Sequence, residues 1–355
     1  MVTFRTPEIV KTTPSAPVKI QTIVFMQIAD DRAIRSVTVE ETVTGRMTRS
    51  SEMDVMEELR PLLLSIAYRM LGTFGDAEDV VQEAYLRLHR EPAVTSPKSF
   101  LTTVTTRLAI DQLRSARRQR EQYFGPWLPE PAVDEYVDLA DRAALSDSLS
   151  TAFLVLLERL SPDQRAVFLL GDVFGYSYDE LSAILGKTPA NCRQLAVRAR
   201  RRIADNRPRF DPSPHERDEL LRRFVAAAED GDLDGLVALL TPDATFTGDG
   251  GGKGGFPRPI HGALNIARLV IGSFGKFTAP EAAGRPPGFK GLGTLTVEIV
   301  HVGGQPALRV HDRTDRTIAI WSFTIVDSRV STIHGIVNPD KLTHVQPSRH
   351  PDHES

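Results

Sequence analysis

Residues 161 to 209 constrain the fold more than any other stretch, because they carry start and stop signals for two short helical units in immediate succession. Ser161-Pro162-Asp163-Gln164 offers a serine cap, a proline at the first helical position and a glutamine able to reach back to the cap. Ser177-Tyr178-Asp179-Glu180 repeats the capping box. Leu181, Ile184 and Leu185 then give a short apolar face, Gly186 suits a left-handed stop, and Thr188-Pro189 opens the next helix. A junction this tight predicts a helix-turn-helix.

In its second helix Cys192, Leu195, Ala196, Ala199 and Ile203 recur at helical spacing and are expected to face the core. Lys187, Thr188, Asn191, Arg193, Gln194, Arg198 and Arg201 are left for DNA. Polar groups able to read base edges sit near the helix start and phosphate-binding charge toward its end, as docking in a major groove requires. Eight basic residues stand between Lys187 and Arg209 against Asp205 alone.

The 355 residues allow two or three domains, and a net charge of −3 hides strong local asymmetry. One cysteine excludes an internal disulfide, and Cys192 falls on the buried face. No apolar run approaches a membrane span and residues 1–50 lack the pattern of a signal peptide, so the expected compartment is the cytoplasm, with no membrane partner. Composition predicts a weakly ordered extension over residues 1–52, a helical unit over 53–122, an acidic linker over 123–147, the helix-turn-helix unit over 148–208, a further domain over 209–340 and a tail over 341–355.

The first helical unit separates this chain from an ordinary repressor. In Asp76-Ala77-Glu78-Asp79-Val80-Val81-Gln82-Glu83-Ala84-Tyr85-Leu86-Arg87-Leu88, the alanines, valines and Leu88 make an inward face. Asp79, Gln82, Glu83 and Leu86 form a second stripe at i, i+3, i+4 and i+7. An acidic, partly apolar stripe repels nucleic acid and suits a basic protein partner. Ser99 to Arg120 follows, with Arg107, Arg114, Arg117 and Arg118 gathered opposite Phe100, Val104 and Leu108. That face is expected to contact phosphates. It has no aromatic platform for unpaired bases, a task left to the loop over residues 90–98.

These segments resemble the extracytoplasmic-function (ECF) sigma factors of bacterial RNA polymerase. DAEDVVQEAYLRL resembles the sigma-two helix that grips the polymerase clamp. SFLTTVTTRLAIDQLRSARRQRE is similar to the helix that reads the minus-ten element, and Ser161 to Arg202 to the sigma-four unit for the minus-thirty-five element. The resemblance implies core polymerase and promoter DNA as partners, Asp79, Gln82, Glu83 and Leu86 as polymerase contacts, and a chain that is not an enzyme and carries no cofactor or metal.

Trp127, Leu128, Pro129, Glu130 and Pro131 open the linker, where Asp134, Glu135, Asp138, Asp141 and Asp147 accumulate. The segment is expected to dock in a basic polymerase channel or to serve as a solvated spacer. WLPEP also resembles the signature of sigma factors with a fused SnoaL-like C-terminal domain. Helical patterning over 216–228, 232–240 and 263–273, then strand signals over 294–301, 307–310, 317–326 and 330–337, predict helices before a curved antiparallel sheet. The fold class is therefore multidomain, two all-α sigma domains followed by an α+β SnoaL-like cone-shaped barrel. Such a cone can hold an unknown small ligand.

Two motifs of that domain resemble the same subgroup: Asp249, Gly250, Gly251, Gly252 and Lys253, and Asn338, Pro339, Asp340, Lys341 and Leu342. The first is not a Walker loop, since Thr247 stands where a glycine is required and Gly254 where a hydroxyl is. By composition alone each is a turn. Asp249, Lys253, Asp340 and Lys341 are expected to join the C-terminal domain to the sigma domains or linker and so replace a separate anti-sigma protein. The alternative is a helix-turn-helix regulator with a ligand-sensing or enzymatic SnoaL-like domain. Its base would be Asp249 or Glu298, supported by His261, His301, His311 or His334.

Overall fold

The computed structural model describes residues 49–91, 94–120, 123–134, 149–204, 213–254, 257–278 and 293–345. The extension before residue 49, the acids from Glu135 to Asp147, and residues 92 and 93 of the expected base-capturing loop lie outside them, as do the side chains of Arg117 and Arg118.

Three helices, α1 (Arg49–Leu71), α2 (Phe74–Arg90) and α3 (Pro97–Arg120), form the first unit. The second is α4 (Thr151–Leu157), α5 (Pro162–Phe168) with a wide turn over Leu169–Val173, α6 (Tyr178–Leu185) and α7 (Pro189–Ala204). Ser161 and Ser177 each cap their helix reciprocally with Gln164 and Glu180, and Gly186 closes α6 at φ 62°. These local signals build the helix-turn-helix. They do not disclose that both units share one hydrophobic core, in which Leu63, Ile66 and Leu101 belong to the same cluster as Leu157, Leu181 and Ala199. The buried Arg165 of α5 fastens them, donating to Met70 O at 2.7 Å and Leu157 O at 3.0 Å while pairing with Glu158 at 2.8 Å.

The C-terminal domain packs α8 (Pro214–Glu229), α9 (Leu233–Leu239) and α10 (Ala263–Thr278) on a six-stranded sheet: β1 (Leu240–Asp249), β2 (Ile260–His261), β3 (Thr296–Val302), β4 (Gln305–His311), β5 (Thr317–Val326) and β6 (Arg329–Ile336). The strand order is β2-β1-β6-β5-β4-β3. The three expected helices and four expected strands are present, but β1 and β2, which carry no strand signal in the sequence, come before α10 and the sheet is not all antiparallel. β1 pairs parallel to β6, so the sheet is mixed. Thr241-Pro242-Asp243 at the start of β1 reads locally as a turn, which hides the strand from propensity.

Alternation divides the sheet residues. Ala319, Trp321, Phe323 and Ile325 face the helices. Phe246, Phe274 and Phe277 pack around Trp321 with ring centres 5.4–6.3 Å apart. Aromatic rings thus line the part of the cone where a ligand was expected. A groove of about 450 Å³ lies outside it, between α8 and the β5–β6 hairpin. The opposite face, with Val300, Val302, Ala307, Ile320 and Ile336, is covered by the linker residues Leu128 and Val133 and by Leu342 and Val345. Thr151 of α4 donates to Ser322 there at 2.9 Å. His334, on the same face, is fully buried without a partner on Nδ1, and burial lowers it to about 4, so it is neutral.

The linker is therefore a structural layer. Asp134 N–H donates to His301 O at 2.9 Å and Gly303 N–H to Ala132 O at 3.0 Å, extending the edge of β3. At the other side Glu130 is wedged against the first helical unit. Its N–H donates to Gly72 O at 2.8 Å, its carbonyl accepts Tyr68 OH at 2.6 Å, and its carboxyl accepts Phe74 N–H at 2.6 Å. The last bond satisfies a terminal N–H of α2 that the Thr73 side chain leaves uncapped. Gly72, at φ 79°, gives the Trp127 ring its room, since a Cβ there would come 2.8 Å from the ring.

Burial pushes the Glu130 carboxyl up to about 7 from an ordinary 4.5. His344, 3.7 Å away, is pushed by burial down to about 4. Between pH 4.5 and 7 the docked Glu130 keeps a proton that the released linker sheds, so its contribution falls as pH rises through that window. His344 runs the other way, weakening docking as pH falls from 6.5 toward 4. Glu130→Gln, which keeps the acceptor and removes the charge, is expected to gain about 1–3 kcal/mol over the parent at pH 8 and little at pH 4.5. Chemical denaturation at both pH values measures the difference.

Candidate functional site

The three motifs singled out in the sequence meet at one point. Asp249, at the end of β1, is fully buried. Its Oδ1 accepts Tyr123 OH at 2.6 Å and Gly251 N–H at 3.1 Å, and its Oδ2 accepts Leu128 N–H at 2.8 Å and Lys341 Nζ at 2.7 Å. Lys341 also donates to Leu128 O, and its ammonium lies 4.1 Å from the Trp127 ring centre and 5.2 Å from that of Tyr123. The linker thus enters the C-terminal domain by its backbone at Leu128, gripped on the N–H by a carboxylate and on the C=O by an ammonium.

Each element is placed by its sequence. β1 ends at Asp249, whose carbonyl accepts Val337 N–H at 2.8 Å and Asn338 N–H at 3.1 Å, so β6 delivers the NPDKL segment directly to it. Asn338 caps the turn Pro339–Lys341 and donates from Nδ2 to the Tyr123 hydroxyl oxygen at 3.0 Å. Gly251 sits at φ 58°, and a Cβ there would fall 2.5 Å from Asn338 Nδ2. A side chain at 251 would separate the two motifs. Gly250 is buried, Gly252 takes φ 75° beside Phe124, and Leu342 joins the linker-side core. Lys253 and Asp340 pair at 2.7 Å across the rim, but both are more than half exposed, so the pair contributes little beside the buried one.

A buried ion pair stabilises its site only when its remaining valences are satisfied, and breaking it by removing one partner costs about 3–5 kcal/mol. Four donors around Asp249 and two acceptors plus two aromatic faces around Lys341 meet that condition. Tyr123, whose phenol is pushed upward by burial and by Asp249, completes the cage. In the sequence Tyr123 is only an aromatic four residues before the WLPEP segment. His344 and Arg165 carried no sequence signal, because their roles depend on contacts with distant segments.

The expected nucleic-acid face of α3 is turned toward the helix-turn-helix. Arg107 donates from Nε to Ile184 O at 2.7 Å and from Nη2 to Ala183 O at 3.1 Å, capping the carbonyl end of α6. Arg114 approaches Asp163 at 3.5 Å, and Lys187 approaches the same carboxylate at 3.7 Å. On α7, Asn191, Arg193, Gln194, Arg198 and Arg201 are exposed, and Thr188 caps the helix through Asn191 N–H at 3.2 Å. On α2, Asp79, Gln82 and Leu86 are exposed and Glu83 is half-buried, pairing with Arg87 at 2.9 Å. The acidic stripe is open while Arg107 of α3 is engaged.

Of the candidate acid–base groups, Glu298 and His311 approach each other across β3 and β4, with Nε2 4.0 Å from the carboxylate. Asp249 belongs to the cage and Glu298 pairs with the buried Arg309 at 2.6 Å. His261, His301, His311 and His334 lie on four different strands. No helix among the described residues is long and apolar enough to cross a membrane.

Comparison with known proteins agrees with this geometry. Residues 55–119 match the family described as Sigma-70 region 2, and residues 150–203 match Sigma-70, region 4. The chain is 39% identical over 301 residues to the ECF RNA polymerase sigma factor SigJ of Mycobacterium tuberculosis, covering 82% of this chain and 93% of that protein. It is 41% identical over 187 residues to the probable ECF RNA polymerase sigma factor SigI of the same species, covering 52% of this chain and 64% of that protein. The crystal structure of M. tuberculosis SigJ superposes with a TM-score of 0.64 at 35% identity, over 83% of this chain and 99% of that one. The capped helix-turn-helix, the acidic helix and the C-terminal sheet thus belong to one known architecture, and this chain is a member of the ECF RNA polymerase sigma factors.

Proposed function

We propose that this sigma factor is stored closed by its own C-terminal domain, unable to span a promoter, and that core polymerase opens it from the exposed acidic stripe of α2. The observation that carries the reading is Arg107, a residue of the promoter-reading helix whose guanidinium is occupied by two carbonyls of the helix-turn-helix. The minus-ten and minus-thirty-five elements are about 25 base pairs apart, about 85 Å at about 3.4 Å per base pair. α3 and α6 are in direct contact, so the units must separate before both elements are bound.

Site roles follow from that geometry. Asp79, Gln82, Glu83 and Leu86 meet polymerase in the closed form. Asn191, Arg193, Gln194, Arg198 and Arg201 read or clasp the minus-thirty-five duplex, with Lys187 and Thr188 at the helix start. Arg107 becomes available to the minus-ten region only on opening, and Arg114, Arg117 and Arg118 contact the same region. Asp249 and Lys341 hold the linker against the sheet and thereby keep the two helical units from drifting apart. Gly250 to Lys253 and Asn338 to Leu342 shape that grip.

Opening is a population shift, and any ligand drives it only by binding the open form better. Lys341→Met strands Asp249 as a buried, unpaired charge and is expected to shift the closed-to-open ratio by about 3 kcal/mol, roughly a hundredfold. Promoter-duplex binding by the free chain, and initiation at limiting core polymerase, should both rise. Combining it with Asp249→Leu removes both charges and should restore much of the closure. If Lys341→Met leaves both readouts at the parental level while its melting shows the cage broken, the cage is not what restrains the chain.

A further inference from the structure

Arg193 and Arg200 are seven residues apart on α7 and so share one face, and Tyr178, the first residue of α6, touches both. Arg200 is anchored first. Its Nε lies 2.9 and 3.2 Å from the two Asp172 carboxylate oxygens, and its Nη2 lies 2.8 Å from Oδ1. Nη2 also donates to the Tyr178 hydroxyl at 3.3 Å. The phenol is therefore tied at its polar end to a bidentate pair on the scaffold. Its ring face is what Arg193 rests on, with the guanidinium carbon 5.4 Å from the ring centre. Among the described residues Arg193 forms no ion pair, and its side chain is exposed on the fifth residue of the helix, in the zone from which a recognition helix reaches DNA.

A lone exposed arginine loses much rotamer freedom when it docks on a pair of acceptors. Stacking on a fixed ring removes part of that cost beforehand and leaves the planar N–H edge pointing outward. We infer that Tyr178 is a positioning residue for promoter recognition: through Asp172 and Arg200 it fixes a ring that holds Arg193 edge-out, ready for a paired-acceptor target. The acceptors are those of a guanine edge or of a phosphate. The inference rests on the reading that Arg193 touches DNA, and the Tyr178 role is separable from it.

The test uses holoenzyme assembled from the full chain and bacterial core polymerase, with the duplex most enriched by wild-type holoenzyme from a randomised pool. Tyr178→Leu, which removes the ring, is expected to weaken binding about two- to fivefold, the worth of an exposed cation–π contact. Tyr178→Phe keeps the ring and should stay within twofold of wild type. In an Arg193→Ala background Tyr178→Leu should cause no further loss, which a merely structural role would not produce. A loss confined to one base pair marks a guanine edge; a uniform loss with a salt slope lower by about one marks a phosphate. A full Tyr178→Leu loss in the Arg193→Ala background, or none in the wild-type background while Arg193→Ala weakens binding, overturns the positioning role. If Arg193→Ala itself has no effect, the reading of Arg193 as a DNA contact fails and the inference with it.

Discussion

A carboxylate and an ammonium buried together hold the linker to the C-terminal domain, the contact on which the proposed closed form depends. Asp249 ends β1 and Lys341 lies in the turn that follows β6, its parallel partner, and what they share is the backbone of Leu128 in the linker. A hydrophobic patch could hold the linker with comparable energy, but it would tolerate sliding along the chain. Directional bonds to one N–H and one C=O set a single register. From that register follow the wedge of Glu130 under α2, the added edge strand at Val133 and the cover over the outer face of the sheet.

The closed form uses the same chemistry that promoter binding needs. In the proposed function the guanidinium that caps the end of α6 is a phosphate ligand once released, while the arginines of α7 are exposed in the closed form. Salt therefore acts on both sides of the opening equilibrium, weakening phosphate contacts strongly and the exposed Arg114 and Lys187 pairs with Asp163 as well. The buried parts, Arg165 and the Asp249 cage, are insulated from that screening. In the proposed function, regulation rests on the buried groups and recognition on the exposed ones.

What the sequence disclosed was whatever is written locally. Capping boxes at Ser161 and Ser177, the left-handed Gly186 and the apolar spacing of α7 are properties of a few adjacent residues, and they placed the helix-turn-helix. The stripe of Asp79, Gln82, Glu83 and Leu86 was legible for the same reason. The grouping of WLPEP, DGGGK and NPDKL came from resemblance, since by composition the last two are turns. Long-range facts stayed hidden. The fusion of both helical units into one core, the parallel pairing of β1 and the use of Arg107 inside the protein depend on surfaces that only folding brings together. An arginine-rich face reads as a DNA face whichever partner it meets first. The cone interior was equally opaque, because Phe246, Phe274, Phe277 and Trp321 are scattered over some 75 residues before they stack.

The separation of α3 from α7 is the central claim in measurable form. The native cysteine, Cys192, is buried, so spin labels can be directed to Ser115→Cys and Ala204→Cys, both at exposed positions. Pulsed electron resonance on the free chain should give one short distance, and addition of core polymerase without DNA should lengthen it by tens of ångströms. A distance that stays short in the polymerase complex, or one already long in the free chain, would contradict the account.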